Sequence, residues 1–168
     1  SLGIYSTFAA AKVAIETDIK AEGVGFTADL ARTTPASRRL VLINSDMAGE
    51  DIPIPSHVDI RGTQKWTVSS SGATTGAVLT TSGKSTHVSN LRIVDTSSTS
   101  VRHPWRDSGP SGDADAGGFR QRRTVIIENV EFRSSDTAEN GGAAADCTFG
   151  PGAFIVCNKV TFNSPKQG

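Results

Sequence analysis

The sequence predicts an all-β fold, a short parallel β-helix (solenoid) with an N-terminal capping α-helix. Three observations carry that expectation. The first is composition. Gly, Ser and Thr (17, 19 and 18 residues) make up about a third of the 168, against ten aromatics, a balance that favours turns and strands over helices. The second is a strand motif that returns three times: Asn90-Leu-Arg-Ile93, Asn129-Val-Glu-Phe132 and Asn158-Lys-Val-Thr-Phe162, the last with one extra residue after its Asn. The third is its spacing. The asparagines lie 39 and then 29 residues apart, as expected for a constant strand carrying loops of variable length. One such strand cannot bury its apolar face alone. Stacked in parallel, coil above coil, such strands bury a continuous column of Val, Ile, Leu and Phe.

The chain divides into a helical cap over residues 1–38 and a β-helix domain over 39–168, with a long loop at about 96–123. A helix is expected from Ser6 to Ala21, which contains no Gly or Pro. Phe8, Ala11, Ile15 and Ile19 form its apolar stripe. Glu16 and Lys20 make a favourable i,i+4 pair, and Gly23 and Gly25 end the helix. Thr27–Arg32 adds a turn or two of helix before Pro35.

The run Leu40-Val-Leu-Ile43 reads as a strand buried on both faces. Turns follow at 44–46 and 48–51. Ile52-Pro-Ile-Pro55 then leads into His57-Val-Asp-Ile-Arg-Gly62, which alternates apolar and polar residues. The same alternation returns in Val88–Asp95, Val125–Phe132 and Ile155–Phe162. Asn suits the bend before each strand because it tolerates the left-handed conformation and bonds its own backbone. Asn90, Asn129 and Asn158 are therefore expected to form a structural turn ladder, bonding from coil to coil as amide stacks do. An antiparallel β-sandwich remains an alternative, since Ser71-Gly72 and Ser82-Gly83 supply hairpin-type turn signals.

The segment Leu40–Gly62, with its aliphatic strand, turn, Ile-Pro and Val-Asp-Ile-Arg-Gly, resembles the opening coils of the pectin-lyase-like right-handed parallel β-helix superfamily. The Asn-centred strands resemble its later coils. In that superfamily an N-terminal helix caps the barrel, where the helix is expected here. The resemblance covers about residues 40–168 and is most like short virion proteins of phages. It implies a fold rather than an activity, because the superfamily holds pectate lyases, polygalacturonases, tailspikes and other virion proteins. Its enzymes usually carry roughly twice the four or five coils that fit here, and their grooves run along several of them.

Several function classes are set aside by what the residues offer. The 17 basic and 17 acidic side chains cancel, so nucleic acid is not an expected partner. No run of 18 apolar residues suggests a membrane span, and the Ser1-Leu-Gly-Ile-Tyr5 start is not an uncleaved signal sequence. Walker A, GxGxxG, HExxH and GxSxG motifs are absent. Cys147 and Cys157 lack metal-ligand spacing and are read as two buried thiols, with one bridge as the alternative. Asp113-Ala-Asp115-Ala-Gly117 begins like a calcium loop, but Thr124 stands where Glu is required. No metal and no cofactor are expected.

The long loop carries the interface or glycan-contact candidates: His103, Trp105, Arg106 and Asp107, with the basic cluster Arg120, Arg122 and Arg123. Trp and Arg are favoured interface anchors, and an aromatic face beside charged groups is also a sugar platform. His57 and His87 precede strands and read as turn residues. Asp59, Asp95, Glu128 and Glu131 lie on or near strands. By strict alternation Glu128 and Glu131 point to opposite faces, so no catalytic carboxylate pair emerges and the reading leans against an enzyme.

Three functions remain. The first is a structural protein of a phage particle, such as a head-decoration (cement) or tail component. It would act as a homo-oligomer, with a trimer favoured, alongside other virion proteins, assembled in the host cytoplasm. The second is a polysaccharide-active β-helix enzyme (lyase or glycosidase) or a fragment of one. The third is a non-catalytic glycan-binding module contacting a surface glycan.

Overall fold

A computed structural model describes residues 3–21, 38–55, 57–72, 76–81, 86–97, 102–107, 123–134, 145–147 and 153–163. One helix, α1 (Phe8–Ala21), precedes eleven strands: β1 (Arg39–Ile43), β2 (Met47–Ala48), β3 (Ile52–Ile54), β4 (Val58–Ser70), β5 (Gly76–Thr81), β6 (Thr86–Asp95), β7 (Arg102–Asp107), β8 (Arg123–Arg133), β9 (Ala145–Cys147), β10 (Ala153–Asn158) and β11 (Thr161–Asn163). One sheet runs β1-β4-β6-β8-β10, with β2 on β4 and β11 on β8. The other runs β3-β5-β7-β9. Every pairing among the described strands is parallel. That removes the antiparallel sandwich. The fold is mostly β, and the chain crosses between two parallel sheets in a solenoid-like succession of five passages, here called coils.

Register stacks like on like. Val41, Ile60, Val88, Ile127 and Cys157 form one inner column across the first sheet. Met47, Val68, Ile93, Phe132 and Phe162 form another. Ile52, Leu79 and Trp105 face them from the second sheet. Ile60, Val88, Ile127, Val68, Ile93 and Phe132 are all fully buried, and each such side chain contributes about 1.5–3 kcal/mol.

Thr7 caps α1, its hydroxyl accepting from the Ala10 amide at 3.1 Å. The expected stripe faces inward: Phe8, Ala11 and Ile19 are buried and Ile15 packs against the core. The helix is tied down by polar contacts as well. The Phe8 amide donates to Glu50 Oε2 at 2.7 Å, and Arg39 Nε meets Asp18 Oδ2 at 2.9 Å.

Four expectations are corrected. Leu40 and Leu42 are about half exposed, because β1 is an edge strand with only one face on the core. The stretch 96–123 is not one loop, since 102–107 form β7 inside the second sheet. The strand periodicity does not run unbroken through the motif. Asn90 and Asn129 adopt left-handed φ of 58° and 51°, which inverts the in-out phase. Val88, Leu91 and Ile93 are all buried, as are Ile127, Val130 and Phe132. Glu128 and Glu131 therefore share the outer face. Lastly, Thr161 pairs with Glu131 and Asn158 with Glu128, so Lys159, with φ 52°, holds the bend in the last coil. The third motif has no inserted residue. The expected short helix at 27–32 lies outside the described residues.

Candidate functional site

The amide ladder runs through the second to fourth coils. Asn129 Nδ2 donates to Asn90 Oδ1 at 2.9 Å, and Asn90 Nδ2 donates to the Gly62 carbonyl at 2.9 Å. At that point β4 bulges, with a register break between Arg61 and Trp66. Gly62 is required by close approach, because a Cβ there would collide with the carbonyl oxygens of Asn90 and Gln64. Asn158 is exposed and donates instead to Glu128 Oε1 at 3.3 Å. It sits one residue before the ladder position.

The candidates of the presumed loop do not form a surface platform. Trp105 is 2% exposed and stacks on Phe132, with centroids 5.1 Å apart. Its indole N–H donates to Thr81 Oγ1 at 3.0 Å, and Thr81 in turn donates to Asp107 Oδ1 at 2.7 Å. Asp107 is fully buried. Trp105 and Asp107 are thus core residues, inward by alternation on β7, and Trp105 has no open face for a sugar or a partner. His103 is half-buried and Arg106 exposed on the same strand. Arg123 opens β8. Arg120, Arg122 and the 113–117 motif lie outside the described residues.

The outer face of the first sheet carries a charged lattice. Arg38 forks onto Asp59, which holds its guanidinium above the ordinary value. His87, within β6 and not before it, places Nε2 at 3.4 Å from Glu128 Oε2. Arg92 Nε donates to Glu131 Oε2 at 2.9 Å, and Asn163 Nδ2 to its other oxygen at 3.1 Å. The Arg92 hydrogen bond, against burial and aided by the charges of Arg92 and Lys65 and by Asn163, holds the Glu131 carboxyl below its usual range. Each of these carboxylates is occupied by a neighbour on the next coil. Among the described residues no three His, Cys, Asp or Glu side chains gather as a metal site.

Sequence reasoning named no contact residue at the C-terminal end of the stack. In β8 the inward residues Val125, Ile127, Val130 and Phe132 are all 0% exposed. In the next coil the equivalent residues are Ile155, Cys157, Val160 and Phe162. Ile155 and Val160 are only partly covered, Cys157 is exposed, and Phe162 is 47% exposed. Phe162 joins the aromatic cluster, 5.4 Å from Phe132 and 6.3 Å from Trp105. Phe154, at the other end of the same coil and out of phase with its inward residues, is 64% exposed. Cys157 is a free thiol, not a buried one, whose pKa is raised by partial desolvation. The signal was present in the repeat register, which assigns these four residues to the interior. At the opposite end α1 covers the column, leaving beside it a cavity of about 320 Å³ lined by Tyr5, Phe8, Ile15, Leu42 and Met47 among others.

Comparison with family models, curated proteins and solved structures gives no match to this chain.

Proposed function

We propose that the chain is a right-handed parallel β-helix capped by α1, working by assembly rather than catalysis. In this reading it is a structural component of a phage particle, a head-decoration or tail protein held as a homo-oligomer, with a trimer favoured. One observation carries the assembly reading: interior positions that are 0% exposed in β8 become exposed in the coil that follows, Phe162 reaching 47%. An apolar column that ends in solvent, with unpaired strand edges, is a surface that another polypeptide covers. The lattice of paired charges on the outer face supports the same view, since its carboxylates serve neighbouring coils. The particle setting rests on the resemblance of Leu40–Gly62 and the Asn-centred strands to β-helix virion proteins.

The test is the solution mass by light scattering over a range of concentrations, for the wild type and for Phe162→Asp. A closed oligomer that Phe162→Asp converts to a folded monomer is the expected result. A wild-type monomer at every concentration overturns the proposal.

A further inference from the structure

Arg102 opens β7 in the third coil, and its side chain is fully buried. Its guanidinium does not stop at the neighbouring coil. Nη2 and Nη1 reach Asp51 Oδ1 and Oδ2 at 2.5 and 3.2 Å, and Asp51 immediately precedes β3 in the first coil. Between β3 and β7 lies β5. Crossing it means spanning two strand spacings, about 9.5 Å.

The second coil makes way with glycines. A Cβ on Gly72 would sit 2.6 Å from Arg102 Cζ. Gly76, paired with Arg102, has a φ of 119° that other residues rarely adopt. On its own coil Arg102 Nε lies 3.5 Å from Asp95 Oδ1, and Asp95 is fixed by the Ser97 amide and hydroxyl, both at 3.0 Å. Glu50, next to Asp51, accepts the Phe8 amide at the start of α1.

We propose that Arg102 is a through-coil clamp that couples docking of the N-terminal helix and first coil to the turn of the third coil. In an ordinary solenoid each repeat contacts only its neighbours, so opening propagates one interface at a time. Here the first and third coils share a bidentate ion pair whose guanidinium is buried, and the second is held between them. Residues Phe8 to Arg102 open together, while β8 and β10 form a separate unit. A single buried Arg with carboxylates on two coils does this where Lys would not, because only the planar fork can bond both oxygens of Asp51. The clamp does not depend on the assembly reading.

Amide hydrogen exchange of the full chain tests it, with Arg102→Gln and Asp51→Asn as variants. Asp51 is 40% exposed, so Asp51→Asn retains the fold if Arg102→Gln does not. The expected result is exchange about tenfold faster or more at Phe8–Ala21 and Ile52–Ile54, with β8 and β10 unchanged. Acceleration confined to β7 and its neighbours β5 and β9 overturns the clamp. So does uniform acceleration of the whole chain, or no change at α1 in either variant.

Discussion

Truncating Phe132 and Phe162 of the aromatic cluster in turn measures how far the column is covered in solution. Phe132 is fully buried, with the Trp105 and Phe162 centroids 5.1 and 5.4 Å away. Phe132→Ala removes a complete side chain from a packed core and costs about 3–5 kcal/mol. Phe162 meets two rings, Phe132 at 5.4 Å and Trp105 at 6.3 Å, and is 47% exposed. Roughly half of a Phe transfer term of about 1.5–3 kcal/mol is at stake. Its two ring pairs add about 0.5–1.5 kcal/mol each. Phe162→Ala is therefore expected to cost about 2–4 kcal/mol in the isolated chain, less than Phe132→Ala. The assay is urea unfolding followed by Trp fluorescence, at dilute and at high protein concentration. If a partner covers the end, the cost of Phe162→Ala grows with concentration while that of Phe132→Ala is large throughout. Equal costs for both variants at the lowest concentration would refute the argument, because Phe162 would then be covered within the chain.

Two further outcomes follow from the ladder and the outer lattice. Asn129→Ala places a Cβ residue without a local polar partner at φ 51° and removes the bond to Asn90, an expected loss of about 1–3 kcal/mol in denaturant midpoints. Asn158→Ala, exposed and outside the ladder register, changes the midpoint by no more than about 0.5 kcal/mol. The Glu131 carboxyl is held low by Arg92, so its contribution is present above the ordinary Glu pKa of about 4.3 and disappears as pH falls through the lowered folded value. Glu131→Gln should thus be less stable than wild type near neutrality, with the gap closing on acidification. A gap that persists in strong acid would locate the effect elsewhere.

Much of the coil arrangement is legible in the residues because it follows from period and stacking. The Phe8–Ala11–Ile15–Ile19 stripe identifies α1, and the returning Asn-centred strands identify parallel neighbours. What strict alternation conceals is the phase inversion. A left-handed residue turns the chain without adding a position to either side's count, so Val88 and Leu91 both point inward although they are three apart. That one conformational fact moves Glu131 to the same face as Glu128. It also realigns the last repeat on Lys159, a residue that local propensity would not place at positive φ. β7 escapes notice for a different reason. Its inward positions are Arg102, Pro104 and Asp107 along with Trp105, and polar residues at buried positions read as loop. Partners on other coils, Asp51 for Arg102 and Thr81 for Asp107 and Trp105, offset the cost of their burial.

The candidate site was less legible than the fold, and the cause lies in where exposure comes from. Trp105 looks functional because aromatics beside charges usually mark surfaces, yet its burial is set by Leu79 and Ile52 stacked in register on one side and by Phe132 across the sheets. Ile155, Cys157, Val160 and Phe162 look structural because their pattern is that of a core strand, yet no sixth coil appears among the described residues to cover them. In a stacked fold, inward direction is a property of the strand, but burial is a property of the neighbouring coil. The residues to test for function in this chain are therefore those with a core pattern and surface exposure, Phe162 first among them.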